Sequence, residues 1–142
     1  MVYLDANVLI YPLVYNASLP QAVTATKVLR CVESGGINAV TSYLSWDEVV
    51  WVVWRLLGAE DAVAAGYKLL AFPRLKLLAV NEAVIFKAQW MVERYGLKPR
   101  GAIHAATAVI ADEDTIVSDD KDFDKVESLN RVGVEEFARG LV

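Results

Sequence analysis

The chain is poor in several things that would each have pointed to a class of protein. It has one cysteine, Cys31, which cannot close an internal disulfide, so a disulfide framework is excluded and the thiol reads as core filler. It has one histidine, His104, too few for a histidine-rich zinc site. That residue reads as a partly buried histidine whose ring nitrogens are satisfied. Long apolar runs are missing as well. The densest, from Val49 to Trp54, covers about a third of the roughly 20 residues a membrane-spanning helix needs. No basic stretch precedes an apolar one at the start, so no secretory signal is expected and a cytoplasmic location is. Cations are outnumbered, with 14 Lys and Arg against 18 Asp and Glu, and the net charge of −4 excludes a broad basic surface for nucleic acid. Arg94, Lys98 and Arg100 form a local cationic group that suits either a phosphate backbone or a solvated helix end.

What is present is a core. Of 142 residues, 56% are hydrophobic and 23% charged, which excludes disorder and suits one domain over residues 1–142. Strand-like runs alternate with helical ones. Val2 to Leu4 reads as a short buried strand, followed by a turn and a short helix to Tyr15 that Pro12 breaks. Pro20 opens a helix that Gly35-Gly36 ends. Ile37 to Val40 is a second strand, and Thr41 or Ser42 caps a helix over residues 43–57 that Gly58 stops. A helix over 59–72, a strand over 75–80, and a helix over 82–95 capped by Asn81 and ended by Gly96 come next. Pro99 opens a further helix to about residue 111. A strand over 115–117, a loop anchored by Phe123, an edge strand at Arg131-Val132 and a short helix over 134–141 complete the chain. This alternation predicts an α/β fold: an open, mainly parallel sheet of four to five strands between two layers of helices. The helix over 43–57 is apolar around nearly its whole circumference, which predicts burial on more than one side and a subunit interface anchored by tryptophans. A homodimer is therefore expected.

Three acids stand out. Asp5 ends an apolar strand, Asp120 follows another, and Glu48 lies in the first turns of the apolar helix. In an open α/β sheet, ligands bind at the carboxyl ends of strands. Carboxylates brought together there repel unless a cation joins them, which suggests Mg²⁺ or Mn²⁺. For Asp5 the plainer reading is a turn aspartate capping the next helix. Asn7 either orients Asp5 or caps the turn. Asp120 and Asp122 alternate and would face the same way in an extended segment. Asp119 and Asp124 read as solvated loop acids, with Asp119 a possible substitute near position 101. Ser118 reads as a hydroxyl that bonds a ligand or a water beside the site, or as a strand-end group satisfying backbone.

The segment Leu4-Asp5-Ala6-Asn7-Val8-Leu9-Ile10-Tyr11, with Ser45-Trp46-Asp47-Glu48, Gly101-Ala102-Ile103-His104-Ala105-Ala106-Thr107-Ala108 and Ser118-Asp119-Asp120-Lys121-Asp122-Phe123-Asp124, resembles the four motifs of the PIN-domain nucleases. Within that family the chain looks most like the VapC-type toxins of toxin–antitoxin pairs. The resemblance implies a metal-dependent endoribonuclease, with Asp5, Glu48 and Asp120 as catalytic and metal-binding acids and Asp122 as a further metal ligand. It also implies an RNA substrate and a cognate antitoxin that covers the acidic groove. The family's third motif begins with an aspartate, where this chain has Gly101. Nuclease activity is therefore expected to be weak or absent, with some metal binding retained. The alternative is a catalytically inactive PIN module that binds a protein partner or RNA. Phosphotransferases on similar sheets fit poorly. Haloacid-dehalogenase-type enzymes need a second aspartate where Asn7 stands, and receiver domains need one after a central strand, where Asn81-Glu82 stand.

Overall fold

The computed structural model describes residues 1–141. β1 (Val2–Leu4) leads into α1 (Ala6–Val14) and α2 (Pro20–Glu33). β2 (Ala39–Ser42) leads into α3 (Leu44–Leu57) and α4 (Ala59–Leu70), and β3 (Leu75–Leu78) into α5 (Glu82–Tyr95) and α6 (Pro99–Ile110). β4 (Thr115–Val117), a 3₁₀ turn (Lys121–Lys125), β5 (Asn130–Val132) and α7 (Val134–Arg139) follow. The five strands form one sheet in the order β3-β2-β1-β4-β5, and every pairing is parallel. Parallel neighbours need crossover connections, which the helices supply.

Strand alternation sorts side chains into two cores. Leu4, Ala39 and Val117 pack on the layer that holds α1, α2, α3, α4 and α7. Tyr3, Val40 and Ile116 pack on the layer of α5 and α6. The result is the three-layer α/β/α arrangement that the alternating pattern predicts. The strand order reverses at β1: the chain builds outward through β2 and β3, then crosses to place β4 on the other side. A reversal of this kind opens a crevice at the carboxyl ends of the two strands that flank it. Asp5 immediately follows β1, and Ser118 immediately follows β4.

Four local expectations are corrected. Pro12 does not break α1, which runs through it to Val14. The missing N–H costs the helix one bond. Ala6, Val8 and Leu9 are buried against the sheet, and that packing holds the helix where local propensity would not. Thr41 and Ser42 belong to β2 rather than to the next helix cap, although the Ser42 hydroxyl does accept from the Leu44 amide at 2.9 Å. α3 buries one face only: Ser45, Val49 and Val53 are inside, while Trp46, Trp51, Trp54, Leu56 and Leu57 are exposed. Cys31 is half-buried rather than core. Among the described residues, no helix is long and apolar enough to cross a membrane.

Candidate active site

A chain of hydroxyls sets the first turn of α3 against the sheet. The Thr41 hydroxyl donates to the Leu4 carbonyl at 2.7 Å, and the Ser45 hydroxyl lies 2.7 Å from that of Thr41. All three residues are fully buried. Glu48 follows Ser45 by three positions, so it occupies the same helix face and is carried toward the end of β1. This gives a physical role to the serine in the Ser45-Trp46-Asp47-Glu48 motif. Asp47 points elsewhere, toward Arg100 at 3.9 Å on the surface.

Asp5 is the N-cap of α1 and is 8% exposed. Its Oδ1 accepts from the Ala6 amide at 2.8 Å, and its Oδ2 accepts from the Ser118 hydroxyl at 2.6 Å. The Ser118 oxygen in turn accepts from the Asp120 amide at 3.0 Å. The turn-capping and ligand readings of Asp5 are thus compatible, because the cap fixes where the carboxylate points. Burial pushes its carboxyl above the ordinary range, against the opposing pull of His104, Ser118 and the Ala6 amide.

His104 lies between the two acids. Its Nε2 is 2.5 Å from Glu48 Oε1 and 3.7 Å from Asp5 Oδ1, and its Nδ1 is hydrogen-bonded to the Tyr3 hydroxyl at 2.6 Å. The ring is buried, with Ala102, Ala105, Ala106 and Ala108 around it on α6 letting that helix sit close to the sheet. Burial alone would push the imidazole down. The hydrogen bond to Glu48, with the charges of Asp5 and Glu48, outweighs it and holds the ring above its ordinary value. Tyr3 is pushed well above the usual phenol range by burial and by the same two carboxylates. The expectation of satisfied ring nitrogens holds, but their partners make His104 and Tyr3 members of the site, which the sequence reading had not included. A signal existed: His104 follows Gly101 by one helical turn, and Tyr3 shares a strand face with Asp5.

The remaining expected residues divide. Asp120 reaches the site through its backbone, while its Oδ1 accepts from the Asp122 amide and caps the 3₁₀ turn. Asp122 lies in a 3₁₀ turn, so the alternation expected of an extended segment does not apply to it; its carboxylate lies 3.5 Å from the Lys125 ammonium. Among the described residues, Asn7 neither bonds Asp5 nor caps the turn, and its buried Oδ1 has no hydrogen-bond partner. Asp119 is an exposed loop acid, as expected, and does not fill the space beside position 101; its carboxylate also accepts from the Tyr11 hydroxyl and the Val134 amide, each at 3.0 Å, tying α1 to α7. Asp124 pairs with Arg131 at 2.9 Å, and Arg131 also donates to the Ser118 carbonyl at 3.0 Å. Arg94 and Arg100 make long surface pairs with Glu127 and Asp47. Gly101 lies in the first turn of α6, and a Cβ built there meets nothing within 4 Å.

Carboxylate oxygens are the donors Mg²⁺ and Mn²⁺ prefer. Their arrangement here does not fit such an ion, however. Among the described residues, no three His, Cys, Asp or Glu side chains are grouped so as to hold one. Asp5 and Glu48 are bridged by His104, and Asp120 is turned to its own backbone. A cavity of about 280 Å³ lies apart from these acids, between α1, α2, α3 and α4.

The sequence profile of the PIN domain matches residues 2–129. No curated protein matches the chain in sequence. Several solved structures share its fold. The VapC20 toxin of Mycobacterium tuberculosis, described as cleaving the sarcin–ricin loop, is 19% identical with a TM-score of 0.68, over 100% of this chain and 97% of its own. DNA-bound VapBC from Salmonella typhimurium is 15% identical with a TM-score of 0.71, over 94% and 97%. VapBC-1 from nontypeable Haemophilus influenzae is 20% identical with a TM-score of 0.66, over 94% and 98%.

Proposed function

The chain belongs to the PIN-domain family, and on that premise we propose that it is a toxin-type PIN module directed at RNA, with phosphodiester-cleaving activity weak or absent in this sequence. The observation that carries this reading is the meeting of Asp5 and Glu48 at the reversal point of the sheet, with Ser118 fixing one acid and the Thr41–Ser45 pair fixing the helix that bears the other. Two acids from distant parts of the chain, held in set directions beside a strand-order reversal, are what a phosphodiesterase site requires of its scaffold. RNA cleavage of the PIN type draws on Mg²⁺ or Mn²⁺. The present arrangement does not fit that ion, which is why low activity is proposed.

A second reading has its own support. With Gly101 contributing no side chain and His104 already bridging the acids, the chain suits a non-cleaving module that binds RNA or a protein partner. The similarity to toxins solved with their antitoxins supports an antitoxin as that partner. The exposed tryptophans of α3 support a homodimer, and the single sheet supports one domain over residues 1–142.

Cleavage of single-stranded and structured RNA, with Mg²⁺ or Mn²⁺ supplied, separates the readings. The first predicts that Gly101→Asp, for which the structure has room, raises cleavage at least about tenfold, corresponding to roughly 1.4 kcal/mol of barrier. It also predicts that Asp5→Asn abolishes cleavage. No cleavage by either the natural chain or Gly101→Asp selects the binding module.

A further inference from the structure

The disagreement between the acids and a divalent ion has a specific cause. An ion shared by Asp5 and Glu48 would sit about 2.1 Å from an oxygen of each. His104 Nε2 is 2.5 Å from Glu48 Oε1 and 3.7 Å from Asp5 Oδ1, so the ring edge stands beside both carboxylates that such an ion would have to join. The ring is held there from behind by the Tyr3 hydroxyl on Nδ1. The Asp5 oxygens cannot easily swing to a new position, since the Ala6 amide and the Ser118 hydroxyl bind one each.

We propose that His104, braced by Tyr3, is a built-in competitor of divalent metal, occupying the space between Asp5 and Glu48 so that a cation enters only when the imidazole leaves. The proposal concerns the site assigned above, but it does not depend on RNA being cleaved. Ion binding is measured without substrate, so an inactive protein can still satisfy or refute it.

Two consequences separate competition from simple packing. A ring that only filled the core would leave cation affinity unchanged when removed, or lower it through disorder. A competitor raises affinity when removed. Loosening the brace without emptying the core should act in the same direction and less strongly. Position 101 acts separately: an aspartate there adds an oxygen one helical turn from His104, which would strengthen the hold on an ion once the imidazole has left without removing the ring itself.

The test is Mn²⁺ titration of the full chain, following loss of the free-ion electron paramagnetic resonance signal. His104→Ala should bind Mn²⁺ at least about tenfold more tightly than the natural chain, a difference of roughly 1.4 kcal/mol. Adding Asp5→Asn to His104→Ala should erase that gain. Tyr3→Phe, which keeps the aromatic ring and removes only the hydroxyl, should show a smaller gain of about threefold, on the same affinity scale. Equal affinity in the natural chain and His104→Ala overturns the proposal, as does a gain that survives Asp5→Asn. If His104→Ala does not fold, Tyr3→Phe decides: unchanged or weaker Mn²⁺ binding overturns the proposal, and tighter binding supports it.

Discussion

Ser118 carries more of the site than its size suggests. Its hydroxyl donates to the buried carboxylate that follows β1 and accepts from the amide of Asp120, so one oxygen joins the ends of β1 and β4. Hydrogen bonds to charged groups are worth about 1.5–3 kcal/mol, and Ser118→Ala should lose that amount in a urea unfolding series, because the Asp5 oxygen stays buried without its donor. A loss below about 0.5 kcal/mol, the size of an ordinary surface substitution, would mean that water replaces the hydroxyl. At this scale the sequence was legible where a residue type and its strand position spoke together, as with Asp5 at the end of an apolar run. It was misleading where local conformation decided. Asp122 was expected to alternate with Asp120, and a coil after Asp120 turns it to Lys125. His104 shows a different gap: its satisfied state was readable, but its partners lie 56 and 101 positions away, and no local pattern reaches that far.

Elements were legible because their signals are short-range. Asn81 caps α5 through its side chain, and Gly96 ends that helix in the left-handed conformation. Pro20 and Pro99 sit in the first turns of α2 and α6. The failure at Pro12 is instructive, since burial of α1 overrides a local penalty. Proline in a helix interior costs about 3 kcal/mol relative to alanine, offset in part by up to about 1 kcal/mol from its stiffer unfolded chain. Pro12→Ala should therefore stabilise the fold by roughly 2 kcal/mol, read as a higher midpoint of thermal unfolding. A lower midpoint would show that the proline ring packs well enough to outweigh its missing N–H. β2 shows the same override by tertiary context. Thr41 and Ser42 look like cap residues in isolation, yet their parallel pairing with Leu77 and Leu78 of β3 makes them strand residues.

For the whole molecule, the parallel sheet and its two helical layers followed from alternation alone, while the pairing order needed the structure. At this scale the outer face of α3 stands out. Trp51, Trp54, Leu56 and Leu57 of α3 are each about half exposed, and Tyr67 of α4 is more so. Small monomers rarely expose contiguous apolar areas beyond a few hundred Å². Sedimentation at micromolar concentration should accordingly give a dimer, and the double substitution Trp51→Glu, Trp54→Glu should give a monomer with unchanged helical circular dichroism. A natural chain that sediments as a monomer would contradict the interface.

What lies between the two acids at the sheet's reversal point decides whether the site excludes a divalent ion. Crystals of the natural chain soaked in Mn²⁺ and measured at the manganese absorption edge test this directly. The prediction is no anomalous peak between Asp5 and Glu48, with the His104 ring in place against both. A strong peak bound by Asp5, Glu48 and Asp120, with the imidazole swung away, would contradict it.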